Sequence, residues 1–213
     1  MKRFAIALVL VAPLVLMGAG VAPQHYARFT PDERADLSRV SDYLNGIRTL
    51  KGSFAQTDPN GVVEAGSFYL SKPGRMRFEY NPPDPLLIVS DGDTVAVKNN
   101  KLGTVDRYPL VDTPLDLLLG DKIDLNHNLA LTGMDELSDS IVIRARSQSS
   151  HAQGDISIVF SRSPLGLRRW TVIDAQGLST TVELKDVETG VALNDSLFVL
   201  GDLKNPFTRR GEE

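Results

Sequence analysis

The chain has 213 residues, no cysteine, 23 Lys and Arg against 27 Asp and Glu, and a formal net charge of −4. Without cysteine there can be no structural disulfide and no acylated N-terminal cysteine, so the protein cannot itself be a lipid-anchored lipoprotein. The acidic balance argues against a nucleic-acid partner, because phosphate binding needs a basic face.

The first element is a secretory signal: Lys2-Arg3, an apolar run from Phe4 to Met17, then the small residues Gly18, Ala19 and Gly20. The run is shorter than the ~20 residues that span a hydrocarbon core. Residues 1–20 are therefore assigned to a cleaved signal, with the cut near Ala19 or Gly20, and residues 21–213 to a single mature domain. Removing Lys2 and Arg3 leaves 21 basic against 27 acidic residues, a mature charge of −6. A secreted and monomeric protein is expected.

The mature region opens with Thr30-Pro31-Asp32-Glu33, a capping box with proline in the first turn. Leu37, Val40, Leu44 and Ile47 then recur three and four apart, opposite a polar face of Asp36, Arg39, Asp42 and Arg48. From Gly52 the period drops to two. Strands are predicted over 52–56, 62–70, 75–80, 86–90, 94–98, 103–108, 125–131, 140–146, 155–161, 168–174 and 180–186.

Turn residues separate them: Asp58-Pro59-Asn60-Gly61, Lys72-Pro73-Gly74, Asp91-Gly92, Asn99-Asn100 and Gln176-Gly177. One segment breaks the series. Thr113 as cap, Pro114 in the first turn and Leu115, Leu117, Leu118 and Leu119 predict a short apolar helix. The cluster Arg168-Arg169-Trp170 reads as a strand edge with a solvated charge.

Many strands and few helices predict a mainly β (α+β) fold. Its antiparallel sheet curls into an incomplete β-barrel, with the helices filling the opening. The 75–80 strand alternates Met76, Phe78 and Tyr80 with Arg75, Arg77 and Glu79, so one face is apolar and the other solvated. Material for catalysis is thin: His25, His127 and His151, with no spaced nucleotide or metal motif. Asp121, Asp124 and Asp135 read as turn residues. No catalytic residue, metal or cofactor is assigned, although a hydrolase triad assembled in space stays open as a minor alternative.

Several stretches resemble, in order, the LolA family of periplasmic lipoprotein carriers. They are Ser53-Phe54-Ala55-Gln56; the block running from Gly66-Ser67-Phe68-Tyr69-Leu70 through Lys72-Pro73-Gly74-Arg75 to Tyr80; Val89-Ser90-Asp91-Gly92; and Thr113-Pro114-Leu115. The resemblance implies a helical lid over an apolar cavity that shields the acyl chains of lipoproteins. It also implies an inner-membrane ABC-type exporter as donor and an outer-membrane receptor as acceptor.

On these grounds Phe54, Phe68, Leu70, Met76, Phe78 and Tyr80 are candidates for the acyl-chain cavity, and each could equally pack in an ordinary core. Leu44, Ile47, Leu115, Leu118 and Leu119 are candidates for the lid. Where the family carries an arginine that holds the lid shut, this chain has Lys72, a compact cation in place of a planar fork. The latch and a solvated turn lysine both remain open readings. Related curled sheets carry other lipids or glycolipids, or sense mislocalised lipoproteins, so the fold leaves the cargo open.

Overall fold

The structure, a computed structural model, describes residues 28–113, 115–128, 130–146 and 154–199. The predicted signal at residues 1–20, His25, His151 and the C-terminal residues 200–213 lie outside them. The first helix, α1 (Pro31–Gly46), starts as predicted. The Thr30 hydroxyl accepts from the Glu33 N–H at 3.2 Å, and the Glu33 carboxylate accepts from the Thr30 N–H at 2.7 Å. Leu37, Val40 and Leu44 are buried on the inward stripe.

Asp36, expected on the solvated face, is instead buried. Its carboxylate accepts from Arg39 at 2.6 Å and from Arg162 at 2.9 Å, so two guanidinium groups compensate the charge. A helix-only pattern could not show a partner in a distant strand.

The strands are β1 (Thr49–Thr57), β2 (Val63–Ser71), β3 (Arg75–Tyr80), β4 (Leu86–Asp91), β5 (Thr94–Asn99), β6 (Thr104–Pro109), β7 (Leu131–Glu136), β8 (Ser140–Arg146), β9 (Gly154–Arg162), β10 (Leu165–Asp174) and β11 (Ser179–Thr189). They form one open sheet in the order β6-β5-β4-β3-β2-β1-β11-β10-β9-β8-β7. Every neighbouring pair is antiparallel. The central join is β1 on β11, and β6 and β7 are the two free edges, which makes the sheet an incomplete barrel. The chain passes from one free edge to the other through residues 110–130, which carry the second helix, α2 (Asp116–Leu119).

Turn chemistry holds at four of the five predicted turns, where Gly61, Gly74, Gly92 and Gly177 have positive φ; at Asn99-Asn100 the positive φ falls instead on Gly103. Three expectations need correction. The strand at 125–131 is a 3-10 turn, Leu125–His127, followed by β7. Its backbone is spent on α1: the Leu125 N–H donates to the Ser41 hydroxyl at 3.1 Å, and Asp124 caps the turn by accepting from the Asn126 N–H at 3.1 Å.

Secondly, Thr113 does not cap α2. Its hydroxyl donates back to the Leu110 carbonyl at 2.8 Å, and the helix starts after Leu115 with no side-chain cap. Pro114 lies outside the described residues. Finally, Trp170 is not at an edge. Its strand β10 lies between β9 and β11, and the ring is buried.

Among the described residues no helix is long and apolar enough to cross a membrane.

Candidate functional site

The predicted lid residues converge. Leu44 of α1, Ile47 just after it, and Leu115, Leu118 and Leu119 in and beside α2 meet Leu50, Leu70, Met76, Phe78, Leu167 and Trp170 of the sheet around one small void. Its volume is about 20 Å³, room for roughly one water and far too little for an acyl chain. The interior between the two helices and the sheet is filled by the protein's own side chains.

Of the six sheet residues predicted to line a cavity, Leu70, Met76 and Phe78 border the void, while Phe54, Phe68 and Tyr80 lie outside its lining in the same core. Phe78 joins the two groups. Its ring centroid is 5.0 Å from Phe54, 5.8 Å from Phe68 and 6.1 Å from Trp170. Edge-to-face and offset contacts of this kind add specific geometry to area burial.

Gly66 makes the packing possible. It stands opposite Phe54 across β1 and β2, and a Cβ there would sit 2.7 Å from the Phe54 ring and 2.1 Å from the Glu79 carbonyl. The Tyr80 hydroxyl donates to the Gln56 side-chain carbonyl at 2.8 Å, which satisfies its one polar group. Burial holds the Tyr80 phenol well above its ordinary range, with the Glu64 and Asp84 carboxyl groups pushing the same way. Glu64 itself is raised to about 7, first by a hydrogen bond shared with Asp84 and then by burial.

The β2–β3 turn is hydrogen-bonded to the C-terminal ends of both helices. Lys72 Nζ donates to the Leu44 carbonyl at 2.8 Å. The backbone N–H of Lys72 donates to the Arg48 carbonyl at 2.8 Å, and that of Gly74 to the Leu119 carbonyl at 2.9 Å. Helix α1 has no basic residue in its own last turn, so Lys72, from the neighbouring β2–β3 turn, supplies the cation that the carbonyl end favours. Burial, with the Arg48 guanidinium adding to it, pulls the Lys72 ammonium down to about 8 against the opposing pull of Asp121. Gly74 has φ +69°, and a Cβ there would meet the Gly92 carbonyl at 2.5 Å, so this turn requires glycine.

The segments outside the sheet are also tied to one another. Asn45 donates through Nδ2 to the Ile123 carbonyl at 2.8 Å and accepts from the Ile123 N–H at 2.9 Å. Asn126 Nδ2 donates to the Ser38 hydroxyl at 2.8 Å. Helix α1 and residues 120–128 are thus stitched together by side chains that lie outside the sheet.

Leu50, Leu167 and Trp170 were missed in the sequence. Leu50 precedes the predicted start of its strand by two residues, although it shares a period-two face with Phe54. Leu167 and Trp170 fall three apart, and a bulge between Leu167 and Arg169 turns both to one face. Strict alternation cannot anticipate that. Arg168 faces out, 3.6 Å from Asp139, as a solvated charge.

His127 is exposed and lies 2.8 Å from Asp124, Asp135 pairs with Arg144, and among the described residues no cluster of three or more His, Asp or Glu side chains could hold a metal.

The family described as outer membrane lipoprotein carrier protein LolA matches residues 45–200. The outer-membrane lipoprotein carrier protein of Dechloromonas aromatica is 26% identical over 171 residues, covering 76% of this chain and 81% of the relative. That of Halorhodospira halophila is 28% identical over 180 residues, covering 78% and 81%. Among solved structures, a candidate outer membrane lipoprotein-sorting protein domain from Vibrio parahaemolyticus superposes with a TM-score of 0.50 at 8% identity, over 81% of this chain and 98% of that one. At that identity the likeness concerns the fold alone.

Proposed function

The chain belongs to the outer membrane lipoprotein carrier protein LolA family, and from that membership we propose that it ferries lipoproteins across the periplasm with their acyl chains held between the sheet and the two helices. The observation that carries this reading is the seam itself. Five aliphatic lid residues close over an apolar sheet face, and the β2–β3 turn fastens them with the Lys72 and Gly74 hydrogen bonds.

A void of about 20 Å³ cannot admit hydrocarbon, so loading requires the lid to swing away. The magnitudes permit it. Burying a methylene is worth ~0.8 kcal/mol, so one acyl chain brings roughly 10 kcal/mol of gross transfer energy. That exceeds the few hydrogen bonds at the turn, each worth ~1 kcal/mol net, and the hydrocarbon takes the place of the leucine side chains as the seam parts. Reclosure of the empty lid opposes binding, which keeps the cargo releasable.

Residues 1–20 would direct export to the periplasm. An inner-membrane ABC-type exporter would load the carrier, and an outer-membrane receptor would unload it. Lys72 would act as the latch, giving one hydrogen bond where an arginine fork could give two.

Trp170, the only tryptophan of the chain, borders the void and reports on the site directly. Titration of the purified protein with a synthetic triacylated lipopeptide is expected to change Trp170 emission saturably, and lipoproteins are expected to co-purify from the periplasm. Unchanged emission together with an empty protein would overturn the carrier reading.

A further inference from the structure

The β2–β3 turn is gripped from both sides. The lid holds it from within, and residues 190–199 hold it from without. After β11 the chain leaves the sheet at Gly190, whose N–H donates to the Thr49 carbonyl at 3.1 Å, while the Thr49 hydroxyl donates to the Val191 carbonyl at 2.8 Å. In the strand order β11-β1-β2-β3 it then passes β1 and β2 to reach β3 and β4, where the 3-10 turn Asp195–Phe198 packs.

Two arginines of β3 make the contact: Arg77 donates through Nη1 to the Leu197 carbonyl at 3.4 Å, and Arg75, the residue after Gly74, makes the closer one. Arg75 alternates with inward-facing Met76 and so stands on the outer face of β3. Its guanidinium donates through Nη1 to the Asp195 carboxylate at 2.7 Å and through Nη2 to the Ser71 hydroxyl at 2.8 Å, and it lies 5.3 Å over the centre of the buried Phe198 ring. A single planar group therefore braces both ends of the Ser71-to-Arg75 turn while clamped to the outer segment. Inside that same turn sit the Lys72 Nζ and Gly74 N–H donors that hold Leu44 and Leu119.

We infer that residues 190–199 form a strap that sets how firmly the lid is held, acting through Arg75 on the β2–β3 turn. Seated, the strap fixes Arg75, and the turn keeps Lys72 and Gly74 in reach of the two helices. Lifted, it frees Arg75 from Asp195 and Phe198, the turn gains freedom, and both lid bonds weaken together. Release of the lid thereby answers to an event on the outside of the sheet. The inference rests on the lid reading above.

Asp195 is 85% exposed, so its replacement leaves the core intact. Acrylamide quenching of Trp170 measures lid opening in the full chain. Asp195→Ala is expected to raise the quenching constant by about two- to fivefold, the population shift available from one exposed ion pair. Asp195→Glu should restore most of the parent value. Lys72→Leu should raise quenching on its own, and adding Asp195→Ala to it should raise it by a smaller factor than in the parent, because one of the two bonds through which the strap acts is already gone and only the Gly74 N–H bond to Leu119 remains.

A rise with Lys72→Leu but none with Asp195→Ala would overturn the strap and leave the lid standing. Equal effects of Asp195→Ala in both backgrounds would show that the strap does not act through the turn. A Lys72→Leu protein whose Trp170 stays shielded would sink the lid reading and the strap with it.

Discussion

The interior has two ends that are equally apolar and differently built. Around Phe54, Phe68 and Tyr80 it is held by interlocked aromatic rings carried on the strands β1, β2 and β3, with β2 paired to both of the others through continuous registers. Around Leu44, Ile47, Leu118 and Leu119 it is an aliphatic seam between the sheet and segments outside it, around the small void. Rings on a shared sheet cannot separate without breaking strand pairs. Leucines on a short helix can separate by giving up only their packing and a few hydrogen bonds. Burial alone does not distinguish a floor from a gate; the difference lies in what each side chain is mounted on.

The sharpest break of this comparison is a matched pair of truncations. Phe54→Ala removes a ring that is 2% exposed and touches Phe78 and Tyr80, and it should cost ~3–5 kcal/mol in urea unfolding, with Trp170 still shielded in the folded protein. Leu118→Ala should cost ~2 kcal/mol, the low end for such a change, because α2 can settle into the void it enlarges. It should also increase acrylamide quenching of Trp170. Equal stability losses with unchanged quenching in both would mean that the two ends form one rigid core.

A smaller effect sharpens the seam's side of the comparison. The Lys72 ammonium is held near 8 with the lid closed, and on opening it would return toward its ordinary ~10.4. Between those values the open form binds more protons than the closed form, so raising the pH favours closure and lowering it favours opening. Trp170 quenching should therefore fall as the pH rises from about 7.5 to 9.5, below the range where tyrosines ionise. In Lys72→Arg the charge persists throughout, and the slope should vanish. A slope that survives in Lys72→Arg would assign the titration to another group.

The aromatic end was the more legible in sequence, for the same reason that it is the more rigid. Alternation in Met76, Phe78 and Tyr80 is a local property of one strand, and glycine turns mark the strand ends, so every predicted strand but the one at 125–131 lies on an observed one. The seam depends on partners far apart in the chain. Lys72 reaches Leu44, Arg162 reaches Asp36, and Ser41 takes the Leu125 N–H that a strand would have used. The lid leucines were found through the family resemblance and the apolar run at 115–119, while Leu167 and Trp170 were hidden by a bulge that period-two reading cannot see.

The smallest expected effect tests whether the aromatic end is fixed by packing or by its one polar bond. Tyr80→Phe keeps the ring 5.0 Å from Phe54 and removes only the hydroxyl that donates to Gln56. The loss should be ~1 kcal/mol, since Gln56 is only partly buried and water can take the vacated acceptor. Trp170 quenching and lipopeptide binding should stay at parent values, because Tyr80 does not border the void. A variant that kept its stability but lost lipopeptide binding would place cargo against the phenol, and the aromatic end would then belong to the gate's own working surface.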